Sequence, residues 1–362
     1  MIKNTKKMSL QQMLLLTLTI ILSRNVETLG YNTVSIAKQA SWLSPLVSFA
    51  VFIAFIFILN DIYKKHSDSS FMEIVYSVIG KIPGKILVLF YSLFLVLFLS
   101  LHIRYYAERL TSAVNPYINM NFLILIMLTS AAIILRSGIV TIARMNEIII
   151  IVVLAVFFGT FFLAMPNMNV KFITPISTMD IIPIIKGSIF STSFFGYIFF
   201  MFFISEQINN KEKMIKQGII FSAFLLMLSM SYSGAMLALY SPSLVVRLLE
   251  PGSTSIKLIS IFSAFAGVEP LGITLWIMAD FILIAVLVYI ILSMIKSVFC
   301  LADIKPFISV FLVIEFFLSI IISSNRFELD NLWITVMTPV SCVLEFGVPL
   351  FIYVVGKVRK IV

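Results

Sequence analysis

The chain alternates between long apolar runs and short polar clusters. Apolar runs of about twenty residues recur near 9–38, 42–60, 86–107, 117–135, 143–164, 182–205, 216–239, 271–298, 306–324 and 333–356. Each is long enough, as a helix, to cross a hydrocarbon layer of roughly 30 Å. In lipid every backbone polar group must pair within its own segment, so the runs predict helices. The pattern therefore predicts an all-α polytopic membrane protein with ten transmembrane helices. The connections are short, the longest being Asp61–Lys85 and Tyr240–Pro270, so a single membrane domain over 1–362 is expected, with no soluble domain.

Two runs are interrupted. Leu10 to Leu22 is almost entirely apolar, and then Ser23, Arg24, Asn25, Glu27, Thr28 and Gly30 follow within eight positions. The first run is also too long for one straight crossing. The sixth, "IIPIIKGSIFSTSFFGYIFFMFF", carries Lys186, Gly187, Ser188, Ser191, Thr192, Ser193 and Gly196 in its first two-thirds. Glycine and clustered hydroxyls weaken a helix and can bond to freed backbone groups. Five spans fall in 9–164 and five in 182–356. Five is odd, so the second half enters the membrane in the opposite orientation. This is the layout of two inverted five-helix repeats, in which the broken first helix of each half marks a central binding site. For span six, close helix packing around small residues is the alternative reading.

A broken helix offers N–H groups to an anion and carbonyls to a cation. An amino acid carries both charges and fits between them. On this reading Ser23, Arg24, Asn25, Glu27 and Gly30 contact the ligand backbone, and Ser191, Thr192, Ser193 and Gly196 complete the pocket. A charge at the bilayer centre costs ~3 kcal/mol on insertion scales. Arg24 and Glu27 are three apart on one helix face, so they either neutralise each other or divide a ligand's carboxylate and amine (or a proton) between them. Asp280, Glu315 and Glu345 lie inside spans eight, nine and ten. Asp280 is assigned to the site, because span eight often borders the centre of such architectures; Glu315 and Glu345 are read as holding helices together. Tyr91 in span three is a further candidate, by stacking or hydrogen bonding to a ligand, against a plain packing role. His102, beside Arg104, is a weaker candidate for proton transfer.

Composition sharpens the class. Hydrophobic residues make up 60% of the chain, charged residues 12%, and the mean hydropathy is +1.09, which sets aside soluble enzymes. A net charge of +9 would suit nucleic acid, but the basic residues follow the loops. With the N-terminus inside, seventeen Lys and Arg fall in inner segments and seven in outer ones, Arg104 and Arg109 among the latter. This bias predicts cytoplasmic termini and an even number of crossings. The opening "MIKNTKKMSLQQMLLLTLTIIL" could pass for a signal peptide, but "SRNVETLG" is no cleavage site, so the first span is read as retained. Cys300 and Cys342 read as small packing residues without zinc or redox spacing. No nucleophile elbow, phosphate loop or metal cluster is visible, so neither catalysis nor a cofactor is expected, and a coupling ion is left open.

Several segments resemble one family. "MSLQQMLLL" opens span one, "AKQASWLSPLV" leads into span two, "HIRYYAERL" ends span three, "SGIVTIARMNEI" enters span five and "GVEPLGITLWI" precedes span eight. In this order and spacing they resemble the spore germination permeases, the B subunits of nutrient germinant receptors, within the amino acid–polyamine–cation transporter superfamily. The resemblance covers essentially the whole chain. It implies ten helices in two inverted repeats, the inner membrane of a dormant spore, and as partners a receptor A subunit and a C lipoprotein. It also implies recognition of a small nutrient, often an amino acid, among spans one, three, six and eight. Two departures stand out. The family often has glycine and then proline through the span-one break, where Ser23 and Gly30 stand here. Ala40 and Ser41 precede Trp42 where an acidic residue is common. The expected function is nutrient sensing in a germinant receptor. A proton- or sodium-coupled amino acid symporter and a structural scaffold subunit are the alternatives.

Overall fold

A computed structural model describes residues 7–113, 117–248, 252, 254–255 and 268–362, excluding the side chains of 24–30, 113, 268, 269 and 271. Each predicted run is helical. Span one is Leu10–Ala37, and Ser9 opens it with a capping box completed by Gln12. Span two is Ser44–Lys65, with Pro45 in its first turn where no donor is lost. Spans three, four and five are Lys81–Ala113, Met120–Leu135 and Ile139–Ala164. Spans seven, eight and nine are Met214–Val245, Val268–Phe299 and Ile308–Ile321. Span ten begins at Arg326–Leu332 and runs through two π-helical turns, Trp333–Met337 and Val343–Gly347, into Val348–Val358.

Span six is interrupted as its glycine and hydroxyls predict. Its helix Ile181–Phe195 stops at Gly196, resumes as Ile198–Met201 and ends in the tight turns of Phe202–Gln207. The expected break in span one is not seen: the backbone is one continuous helix from Leu10 to Ala37, and only the side chains of 24–30 lie outside the described residues.

Among the described residues, seven helical stretches are long and apolar enough to cross a membrane, with shorter apolar helices at Leu10–Ser23 and Met120–Leu135. The bundle is apolar outside: Ile133, Ile148, Ile151 and Ile321 are 71%, 70%, 68% and 76% exposed. It is partly polar inside, where Thr17, Ser48, Asn146, Ser191, Glu315 and Glu345 are buried. That distribution suits a lipid solvent, in which apolar surface carries no penalty and polar groups seek partners between helices.

Of the two long connections, Asp61–Lys85 holds a short amphipathic helix, Phe71–Ile79, capped by Ser70 and Glu73. It buries Phe71, Met72, Ile74, Val75 and Val78, and packs on span three. Most of Tyr240–Pro270 lies outside the described residues. Both described ends of the chain meet at one end of the bundle. Lys7 pairs with Asp68 at 3.3 Å, and the His66 ring donates to the Ile361 carbonyl at 3.1 Å. Met8–Ser9 also pairs as a parallel strand with Ile208–Asn209, just beyond span six. Two ends on one side agree with an even number of crossings.

Candidate functional site

Spans one, three and eight converge on one carboxylate. The Ser23 hydroxyl donates to Asp280, and the Arg109 guanidinium donates to the other oxygen of the same carboxylate. Ser23, Arg109 and Asp280 are all buried. Trp276, one turn before Asp280, puts its ring 5.6 Å from the Arg109 guanidinium. Residues four apart share a helix face, so Trp276 and Asp280 present themselves together. The pair is a charge-assisted contact in a water-poor interior, where such contacts are strong and geometrically demanding.

Beside this cluster lies a cavity of about 100 Å³, walled by spans one, five, seven and eight. Leu22 and Ala279, the chain neighbours of Ser23 and Asp280, form the wall next to the ion pair. Phe157, Tyr232, Met236 and Trp276 make most of the remainder apolar and aromatic. A dry apolar cavity of about 150 Å³ admits benzene, so this one has room for a small aliphatic group. It occupies the half of the bundle away from the chain ends, toward the close of span five at Ala164 and the start of span eight at Gly272. The arrangement is a small, mostly apolar chamber with the ion pair behind its wall: Ser23, Arg109 and Asp280 do not line it, and Trp276 both lines it and stands over the Arg109 guanidinium.

The structure brings together only some of the residues singled out by sequence. Ser23 and Asp280 meet. The side chains of Arg24, Asn25, Glu27 and Gly30 lie outside the described residues. The polar stretch of span six does not line the cavity. Ser191 sits 2.6 Å from the Ser48 hydroxyl of span two, Thr192 donates to that hydroxyl at 3.0 Å, and Ser193 donates to its own helix at the Phe190 carbonyl. Ser48 in turn donates to the Ser188 carbonyl. These hydroxyls join spans two and six. Gly187 belongs to the same seam, since a Cβ there would stand 3.2 Å from the Ser44 hydroxyl oxygen. Gly196 faces Glu345 of span ten. Tyr91 donates to the Leu344 carbonyl and packs against Phe199 and Phe203, in the role of a packing tyrosine. Glu315 accepts from Ser100 at 2.8 Å, linking spans nine and three.

Ser48 is the hub of the two–six seam. Ser48→Ala should lower stability by about 1–2 kcal/mol through polar groups that lose a partner. A thermal melt of the purified protein in detergent measures this. An unchanged melting temperature would mean the seam hydroxyls re-pair without it.

The charge pattern places Arg109 among the outer segments, whereas the structure buries it within the bundle. Span three continues to Ala113, which carries Arg109 into the buried core, and Arg104 pairs with Glu108 at 3.0 Å inside the same helix. A signal was present. Phe98, His102, Tyr106 and Arg109 follow a helical period and share one face, so extending the apolar stripe of span three past His102 reaches Arg109.

The fold and the buried polar centre define a class: an integral membrane protein built like the inverted-repeat transporters. The chain superposes on the crystal structure of MhsT in complex with L-phenylalanine with a TM-score of 0.65, covering 94% of this chain and 89% of that one at 13% identity. It matches the spore germination protein family over residues 7–332, and belongs to that family. It is 24% identical over 262 residues to the "Putative spore germination protein YfkT" of Bacillus subtilis strain 168, which covers 70% of each chain.

Proposed function

We propose that the chain is the nutrient-sensing membrane subunit of a spore germinant receptor, and that its germinant is a small amino acid. The observation that carries this reading is the ion pair Arg109–Asp280, with Ser23, lying behind the wall that Leu22, Trp276 and Ala279 form in an apolar cavity. The ion pair behind the wall suits an amino acid's ammonium and carboxylate, and the cavity suits an aliphatic side chain. The relative MhsT was crystallised with an amino acid, L-phenylalanine, which supports this class of ligand in this fold. In the reading offered here the receptor sits in the inner spore membrane with cytoplasmic chain ends, beside an A subunit and a C lipoprotein. A sensor needs only different affinities for the ligand in two conformations. An ion pair that a zwitterion can enter supplies such a difference.

Dipicolinate release from spores lacking this chain, across amino acids, sugars and nucleosides, tests the role. Loss of response to amino acids alone, restored by the intact gene, is the expected result. Unchanged responses throughout would contradict it. The transporter fold itself favours a second reading, an amino acid symporter, and uptake by the purified chain in liposomes distinguishes the two.

A further inference from the structure

Glu345 lies far from a plain structural carboxylate in its surroundings. It is fully buried, and neither carboxyl oxygen has a hydrogen-bond partner among the described residues. It sits in the π-helical turn Val343–Gly347 of span ten, an irregularity often found at functional sites. Its carboxyl rests on the turn that interrupts span six. A Cβ on Gly196 would collide with Glu345 Oε2 and stand 2.8 Å from the Phe346 ring, so only glycine lets the two helices meet here. The surrounding elements bring no counter-charge. Span two offers Phe55, whose ring centroid is 4.9 Å from that of Phe346. Span three offers Tyr91, whose hydroxyl is engaged by the Leu344 carbonyl. On its own helix stands Cys342, whose thiol faces the Ile189 carbonyl of span six at 3.8 Å. Tyr91 and Cys342 are the titratable groups near it, and no cation faces it among the described residues.

A carboxylate with no counter-charge and no protein hydrogen-bond donor among the described residues is expensive in such an apolar seam, whereas a neutral carboxylic acid is tolerated. We propose that Glu345 is a proton-binding site that couples to the span-six break. It carries a proton while spans six and ten are in contact. When the Gly196 turn parts from span ten and water enters, the carboxyl O–H bond breaks and its proton passes to that water, leaving a solvated carboxylate. Closing reverses the step. The site is separate from the cavity beside Asp280, and it holds whether or not that cavity takes a nutrient.

Infrared spectroscopy of the purified full chain in lipid vesicles tests this through the carbonyl stretch of protonated carboxylic acids, with carbon-13 glutamate separating glutamate from aspartate. At neutral pH the wild type should show a protonated glutamate band. Glu345→Gln should lose a component that Glu315→Gln keeps, and Glu345→Asp should move that component into the aspartate set. Gly196→Ala, which wedges the seam, should largely lose the same component by admitting water. A wild-type spectrum without a protonated glutamate band overturns the proposal with no variant needed. So does a band unchanged in folded Glu345→Gln. A band unchanged in Gly196→Ala overturns the coupling to the break.

Discussion

Replacing Arg109 with leucine should cost about 3–5 kcal/mol of stability, and replacing Asp280 with leucine about as much. Each change takes one charge out of a buried ion pair and keeps the other inside the bundle. The double replacement should recover most of that loss, because apolar residues of similar volume often substitute for a buried pair at little net cost. Unfolding of the purified protein in detergent measures all three, and the coupling follows from the double-mutant cycle. Single variants as stable as the wild type would show that the pair does not hold spans three and eight together. The double variant matters for function as well. It should fold and reach the membrane, yet fail to respond to nutrient, since the ion pair behind the cavity wall is gone. A stable double variant with an unchanged nutrient response would remove the ion pair from the site.

Filling the cavity should have an equally large effect with the ion pair intact. Ala235 lines the chamber from span seven. Ala235→Phe adds a ring where a ligand's side chain is expected, so nutrient response should fall by at least about tenfold, the equivalent of roughly 1.4 kcal/mol. Dipicolinate release at graded nutrient concentration reads this, with membrane abundance as the control for folding. Normal sensitivity in an abundant variant would place the ligand elsewhere.

The ten helical runs were legible because lipid imposes a single rule, about twenty apolar residues per crossing. The interruption of span six was legible for a local reason. The helix stops at Gly196, while Ser191, Thr192 and Ser193 before it stay helical. Their partners were not legible, because partners are set by tertiary packing. Ser191 and Thr192 meet Ser48, more than a hundred positions earlier. Asp280 was identified correctly as a buried group, since an acid within an apolar run must find company. Its company was half-visible: Ser23 stood out as a polar residue in span one. Arg109 did not, because a positive charge near the end of a run reads as a loop residue until the helix is extended by another turn. Glu345 shows the opposite failure. It sits between spans ten and six, as an acid that holds helices together would, but its oxygens make no hydrogen bond among the described residues, which its sequence position does not reveal.

The most direct measurement is equilibrium binding of labelled amino acids to the purified chain, wild type and Ala235→Phe side by side. At least one amino acid with a small apolar side chain should bind the wild type saturably and compete with unlabelled ligand. Folded Ala235→Phe should bind it at least about tenfold more weakly. Failure of every amino acid to bind the wild type, or equal binding to both proteins, would contradict a germinant site in the cavity beside Arg109 and Asp280.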